Sequence, residues 1–350
     1  MLKQKIICIF APLVLTVGCD GGPSEEVSVQ DTEEYWKSAL VDNGVNLNGV
    51  NLNGVNLNGV NLNGVNLNGV NLNGVNLNGV NLNGVNLNSN HNGSLTGVSD
   101  NSGVTVSDAQ LSGATLTGQL SNNTSLSLRI DSVTFSDTDR VYLYNVSARG
   151  DAGWVPLCGT ASGKPIPAIP TSGQWDAASG AHIDDPNTFT FACVNAAVGK
   201  CITWGYQPWA TKQECKGKTC RNQPLDAWLQ ACTRMVRADY CGDGVSHTRN
   251  GTPINVWDSL GIQVREGSAM RFEAEWSQDG AHCIQKTRWV MSQPNSLMTD
   301  SAYVQRYCSS RMRSGNNDSC GGSSDFSTEK GLDISVATRH LLRNESSTNL

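Results

Sequence analysis

From residue 45 the chain repeats itself every five residues as Val-Asn-Leu-Asn-Gly, with Leu at 47, 52, 57, 62, 67, 72, 77, 82 and 87. Val and Leu stand two apart, so in extended backbone both point to one face and the intervening Asn points to the other. Glycine at the fifth place lets the backbone turn where a side chain would resist. Asn at equivalent places can form hydrogen-bonded ladders between neighbouring segments. After a slip the pattern continues in degenerate form through Gly93–Gly97, Val104–Asp108, Ala109–Gly113 and Ala114–Gly118. The repeat region is therefore expected over 43–120, perfect over 45–88 and degenerate to 118. Stacked repeats need neighbours to bury their apolar face, which favours a long array docked on the next domain. The competing reading is an Asn/Gly-rich spacer without fixed structure.

The two ends of the chain differ in chemistry. Lys3 and Lys5 precede a twelve-residue apolar run, Ile6 to Val17. That length suits a signal-peptide core and is too short to cross a bilayer of about 30 Å. Leu15-Thr-Val-Gly-Cys19 follows, and it resembles a lipobox, in which Cys19 becomes the acylated new N-terminus. Thr16 stands where Leu is commonest, and an ordinary secretory signal is the alternative. Residues 1–18 are thus expected to be a lipoprotein signal peptide, and 19–42 an acidic flexible tether. Localisation follows as extracytoplasmic and membrane-anchored, in a periplasmic or cell-surface leaflet.

Ten further cysteines all lie between residues 158 and 320: Cys158, Cys193, Cys201, Cys215, Cys220, Cys232, Cys241, Cys283, Cys308 and Cys320. An even set in an exported chain implies up to five disulfides, whose pairing the sequence leaves open. Cys215 and Cys220 either close a small local loop or each reach elsewhere. No CxxC or finger spacing occurs, so no metal and no cofactor is expected. The net charge of −6 supplies no basic stripe, so nucleic acid is not an expected partner.

Beyond residue 124 the pattern becomes short strands. Leu126, Leu128 and Ile130 alternate, as do Val133 with Phe135, and Val141, Leu143 with Asn145. Trp154–Cys158 adds a strand, and 168–186 reads as loop. One helix is well marked: Asn222 as cap, Pro224 and Asp226 in the first turn, then an apolar stripe of Leu225, Trp228, Leu229, Cys232, Met235 and Val236. Gly242 is its natural stop. Met270, Phe272, Ala274 and Trp276 alternate as a strand, and 300–311 reads as a second helix. Residues 321–350 are expected to be a polar, frayed tail.

The five-residue pattern resembles the pentapeptide-repeat family, in which each repeat forms one side of a square right-handed β-helix. The second half is similar to the ADYC domain, an uncharacterised family of mostly myxobacterial exported proteins. The resemblance rests on Ala238-Asp-Tyr-Cys241 within Arg234–Gly244, on Lys200–Trp209, and on Val141–Tyr144, Trp154–Cys158, Ile166–Pro170 with Trp175-Asp176, and Phe189–Cys193. It covers about 125–320 and implies no activity or catalytic residue. The expected fold is mainly β: a pentapeptide β-helix, then a disulfide-rich α+β domain (124–320) with one or two helices.

Candidate chemistry is sparse. Asp239, Asp243 and His247 follow the helix end, where a carboxylate can orient the imidazole as a general base. The structural reading pairs Asp239 with Arg234 or Arg237. Cys241 as nucleophile competes with its place in a disulfide. Trp204, Tyr206 and Trp209 form either a sugar-binding platform or core packing. Asp184-Asp185 is a weak calcium candidate, and Ser327-Thr-Glu-Lys330 has SxxK spacing by chance. The sequence supports a non-enzymatic envelope lipoprotein that binds an envelope protein or glycan. The alternative is an extracytoplasmic hydrolase of cell-wall or polysaccharide material acting through 239–247.

Overall fold

Leu128, Ile130 and Val133 are all buried although Val133 stands out of step with the other two. The reason is one long strand with an irregularity between Ile130 and Ser132, which shifts the phase of the side chains without ending the pairing. The two strands expected from that stretch are one. This comes from a computed structural model of the chain, which describes residues 40–42, 73–77, 80–87, 92–99, 105–119, 125–150, 153–176, 179–185, 189–216, 218–290, 298–313, 320 and 340–347. Residues 1–18, expected as a signal peptide, most of 19–42, expected as a tether and including Cys19, and Ser327–Lys330 lie outside the described residues.

In chain order the first strands are β1 (Leu40–Asp42), β2 (Asn73–Leu77), β3 (Val80–Leu87), β4 (Leu95–Ser99), β5 (Thr105–Ser107), β6 (Thr115–Gln119), β7 (Ser125–Ser136), β8 (Val141–Gly150) and β9 (Gly153–Pro156). The central part carries β10 (Thr160–Ala161), β11 (Lys164–Pro165), β12 (Ala168–Ser172), β13 (Gln174–Trp175), β14 (His182–Ile183), β15 (Phe189–Cys193) and helix α1 (Ala197–Thr203). Then come β16 (Thr211–Lys216), β17 (Thr219–Pro224), α2 (Asp226–Arg237), β18 (Pro253–Asp258), β19 (Arg271–Ser277), β20 (Gly280–Ile284), α3 (Asp300–Tyr307) and β21 (Leu342–Ser346). The described residues are mainly β.

The larger sheet runs β15-β12-β8-β7-β6-β2-β3-β4-β5, with β9 added beside β8. Its described repeat segments pair antiparallel, β2 with β3 and β3 with β4. That is hairpin pairing, unlike the parallel stacking of a β-helix. Most of the perfect repeats, 45–72, lie outside the described residues. The degenerate stretch to 118 forms β4, β5, a 3-10 turn at Asp108–Leu111 and β6, again antiparallel. Its inward positions Leu95, Leu111 and Ala114 are fully buried, but in the core of the sheet, not of a column. A local apolar pattern selects the buried face and says nothing about the direction of the partner strand.

The β8–β12–β15 end of this sheet is covered on both sides. Tyr144, Val146, Ala168, Phe189, Phe191 and Cys193 face one core, whereas Val141, Ile169 and Ala192 face the helices. The buried positions of β8 are thus Val141, Tyr144 and Val146–Ala148, with Leu143 and Asn145 half-buried, so of the expected Val141, Leu143 and Asn145 alternation only Val141 is fully buried. The stretch 168–186, expected as loop, holds three strands, and β12 is almost wholly buried. Two prolines disguise it; Pro170 nevertheless sits opposite Phe191 in the ladder.

The apolar stripe of α2 is buried as expected, on α1 and the second sheet. Asn222, expected as its cap, instead lies in β17 opposite Gln213, and Leu225 takes the cap position without a side-chain bond. α3 is capped by Thr299, whose hydroxyl accepts from the Ala302 amide.

The second sheet runs β1-β18-β21-β19-β20. Its central strand, β21, is the sequence Leu342-Arg-Asn-Glu-Ser346, every residue of it buried. The tail expected to fray therefore occupies the middle of a sheet. Its polar side chains are satisfied from both neighbours, which is what makes their burial tolerable. Arg343 donates to Glu275 at 3.0 and 2.8 Å, and Asn344 accepts from the Trp276 indole at 2.7 Å. Glu345 accepts from Arg265, Asn255 and Ser268.

All ten cysteines pair: Cys158–Cys193, Cys201–Cys232, Cys215–Cys220, Cys241–Cys308 and Cys283–Cys320. Cys201–Cys232 ties α1 to α2, and Cys241–Cys308 ties the end of α2 to the end of α3. Five disulfides fit an oxidising, extracytoplasmic compartment. Among the described residues no helix is long and apolar enough to cross a membrane.

Candidate functional site

The residues singled out for chemistry cluster where α2 ends. Ala238 closes the helix in the left-handed region (φ 52°, ψ 42°), its amide donating to Arg234 and Met235 carbonyls. This is the conformation usually given to glycine, held here by a fully buried side chain. It turns the chain back so that Asp239 meets arginines of α2 while Tyr240, Cys241 and Gly242 reach other elements.

Asp239 is fully buried. Its carboxylate accepts from Arg234 at 2.5 Å, lies 3.9 Å from Arg237, and also accepts the amides of Asp243 and Gly244 at 3.1 Å. Burial pushes its pKa above the usual carboxylate value, and the two guanidiniums pull it back only in part. Tyr240 stacks on Trp276 at 5.4 Å; its hydroxyl donates to Glu273 at 3.1 Å and accepts the Arg288 amide at 2.7 Å. Glu273 and Arg288 form an ion pair at 2.8 Å with neither side chain exposed. Arg288 also donates to the Met235 and Val236 carbonyls at the end of α2. A cation there complements the negative pole of the helix. Cys241 is bonded to Cys308. Gly242 (φ +72°) passes the β19–β20 turn so closely that a Cβ would lie 1.9 Å from the Asp279 carbonyl oxygen. So Gly242 does not stop the helix; it permits this contact one turn later.

His247 is 3% exposed, and its Nδ1 lies 2.9 Å from Asp300 Oδ1. Neither Asp239 nor Asp243 orients it, contrary to the expectation from the sequence. Asp243 instead accepts the Tyr303 hydroxyl at 3.0 Å and its own loop's Val245 amide. The Tyr303 hydroxyl is pushed well up by burial and by this carboxylate. Asp300, the first residue of α3, is 53 residues from its histidine, a separation that no local motif reports. The sequence marked Asp300 only as the start of a second helix. The His247 ring lies 4.5 Å from the Tyr303 ring and 5.8 Å from that of Tyr240. Its Nε2 has no hydrogen-bond partner among the described residues.

An Asp–His pair of this kind selects one tautomer and leaves Nε2 as a base. A reaction would also need a nucleophile at Nε2 and an approach for substrate. Cys241 is committed to its disulfide, and the ring is almost wholly covered. What the geometry does instead is lock: Asp239 ties α2 to the loop that follows it, and Tyr240, Cys241 and Gly242 meet β19, the end of α3 and the β19–β20 turn.

That interlocked segment lies inside residues 108–290, which match the family model of the ADYC domain. The chain belongs to the ADYC domain family. The match spans a little over half of the 350 residues, and it begins within the stretch expected to be degenerate repeats. Residues 45–84 match eight copies of the pentapeptide repeat, ahead of the ADYC domain. No curated protein and no solved structure matches the chain.

The aromatic cluster of the ADYC domain is core, not platform. Trp204 is 3% exposed and Tyr206 fully buried, its hydroxyl donating to Asp258 at 2.9 Å. Trp209 is half-buried against the same core and donates to Gln207. Three coplanar exposed rings for a sugar are therefore not presented. Among the described residues no group of three or more His, Cys, Asp or Glu could hold a metal ion, Asp184 and Asp185 included.

Proposed function

We propose that this chain is an exported lipoprotein, held to a membrane through Cys19, whose ADYC domain is a non-enzymatic binding or structural module of the cell envelope. The observation that carries this reading is the commitment of the Asp239, Tyr240 and Cys241 side chains to an ion pair, a buried hydrogen-bond network and a disulfide around the end of α2. Five disulfides support the compartment. The lipobox-like Leu15–Cys19 supports the anchor, and the tether and repeats set the domain away from it. The partner is an envelope protein or a glycan, and the net charge of −6 disfavours nucleic acid.

Cys19→Ala should move the protein out of the membrane fraction and abolish incorporation of labelled fatty acid. Retention of both would remove the anchor from the reading. Binding of the fragment from residue 43 to a panel of envelope proteins and glycans tests the second half of it.

The β-helix belongs to this proposal for repeats 45–72 alone, on the strength of their regular pattern. A packed column would resist thermolysin, which cuts before Val and Leu; rapid cleavage throughout 45–72 would mean a spacer. The hydrolase reading, for cell-wall or polysaccharide material, rests on the His247–Asp300 pair in place of Asp239 and Asp243. Release of soluble sugars or muropeptides by the native protein, lost in His247→Ala, would establish it.

A further inference from the structure

We infer that Cys215–Cys220 is a thiol–disulfide exchange site, open to attack by small or protein thiols while the rest of the domain stays oxidised and folded. The two cysteines sit directly opposite each other across the β16–β17 hairpin. Both are exposed. In three of the other four bonds both cysteines are buried, and Cys241 and Cys308 are half-buried. Exchange requires a thiolate to reach a sulfur, so access alone separates this bond from the others.

Opening it also removes the smallest constraint. It closes a loop of sequence separation 5, against 31 to 67 for the rest. The hairpin does not depend on it, because ladder pairing runs from Thr211↔Pro224 to Lys216↔Thr219 and the Leu225 amide closes its base on the Ala210 carbonyl. The other four disulfides join segments 31 to 67 residues apart, where release would free far longer loops.

The charge of the hairpin favours the same step. Residues 211–224 hold Lys212, Lys216, Lys218 and Arg221 against Glu214, in a chain whose net charge is −6. Lys212, Lys218 and Arg221 are exposed on this hairpin, Lys218 at its turn and Lys212 and Arg221 on the face opposite the bond, so they act on it through the local potential and not by contact. Cations attract an anionic thiolate and stabilise the cysteine thiolate that leaves. In the first step the sulfur of an incoming thiolate bonds to Sγ of one cysteine and the other leaves as a thiolate. A second thiol of the reductant then attacks the mixed disulfide. Two electrons and two protons reach the protein, and the reductant departs as its own disulfide.

The test uses the native full chain, oxidised, with glutathione followed by alkylation and peptide mass mapping. Cys215 and Cys220 should label at least about tenfold faster than any other pair, with an unchanged far-ultraviolet circular dichroism spectrum. Another pair opening first or equally fast, or labelling only alongside loss of structure, would overturn the inference. A Lys212→Gln, Lys218→Gln, Arg221→Gln variant separates charge from access. It should slow anionic glutathione several-fold more than neutral dithiothreitol. Equal slowing of both would remove the basic residues from the site. The Cys215→Ser, Cys220→Ser double variant should fold and show no early labelling; if early labelling persists, the reactive bond lies elsewhere.

Discussion

Glu273 and Arg288 face each other in the interior with hydrogen bonds on every side, and Tyr240 and the end of α2 are built onto them. Burial pushes the Glu273 carboxyl up, but Arg288, its hydrogen bonds and Lys286 outweigh that, and the pKa falls below the ordinary 4.5. An unfolded chain therefore takes up this proton first as the pH falls. The stability Glu273 contributes is complete above about 4.5 and is lost as the pH falls through the folded value. Glu273→Gln leaves Arg288 buried without its counter-charge and should cost about 3–5 kcal/mol. It should also flatten the fall in melting temperature between pH 4.5 and the acid limit. Equal acid slopes in the two proteins would show that the pair does not govern this window. Gly242→Ala places a Cβ against the Asp279 carbonyl in backbone that disfavours it. A loss of more than about 2 kcal/mol in denaturant titration is expected, and a neutral result would mean the turn can move aside.

At the scale of elements, β21 decides whether the second sheet exists. Removing residues 340–350 takes the central strand away from β18 and β19, leaving Glu275 and Trp276 without Arg343 and Asn344. Such a truncation should abolish cooperative unfolding, read as a featureless thermal melt; a sharp transition near that of the full chain would make β21 dispensable. The strand escaped the sequence reading because its residues look solvated one by one. Only partners 68 and 90 residues away make Arg343 and Glu345 fit an interior. Helix α2 was legible for the opposite reason: its stripe from Leu225 to Val236 repeats at helical spacing and needs no distant partner to be recognised. Its cap was misread because Asn222 is a good cap in isolation, yet the β16–β17 hairpin claims it first.

Across the whole molecule the disulfides divide into staples and a clip. Loop-closure entropy assigns about 4 kcal/mol to Cys241–Cys308 and about 2 kcal/mol to Cys215–Cys220, given separations of 67 and 5. Replacing each pair with serine should lower stability in that order in denaturant titrations, and the reverse order would refute the assignment. Non-reducing mass spectrometry should find none of the ten cysteines free; several free thiols would contradict the pairing. At this scale the candidate site also changes meaning. The sequence placed Asp239, Asp243 and His247 within nine residues, and proximity along the chain suggested convergence. Folding separates their tasks: Asp239 to two arginines, Asp243 to Tyr303, and His247 to Asp300.

By itself the sequence determined the repeat, the mainly β character, the confinement of ten cysteines to one domain, the buried face of α2 and the family. These are properties of composition, spacing and local order. Tertiary structure alone decided the antiparallel pairing of the repeat segments, the disulfide partners, the burial of β21 and the partner of His247. Each of those depends on which groups arrive from far along the chain to satisfy a buried charge, amide or sulfur. Local pattern selects a face; only the folded chain selects what that face meets.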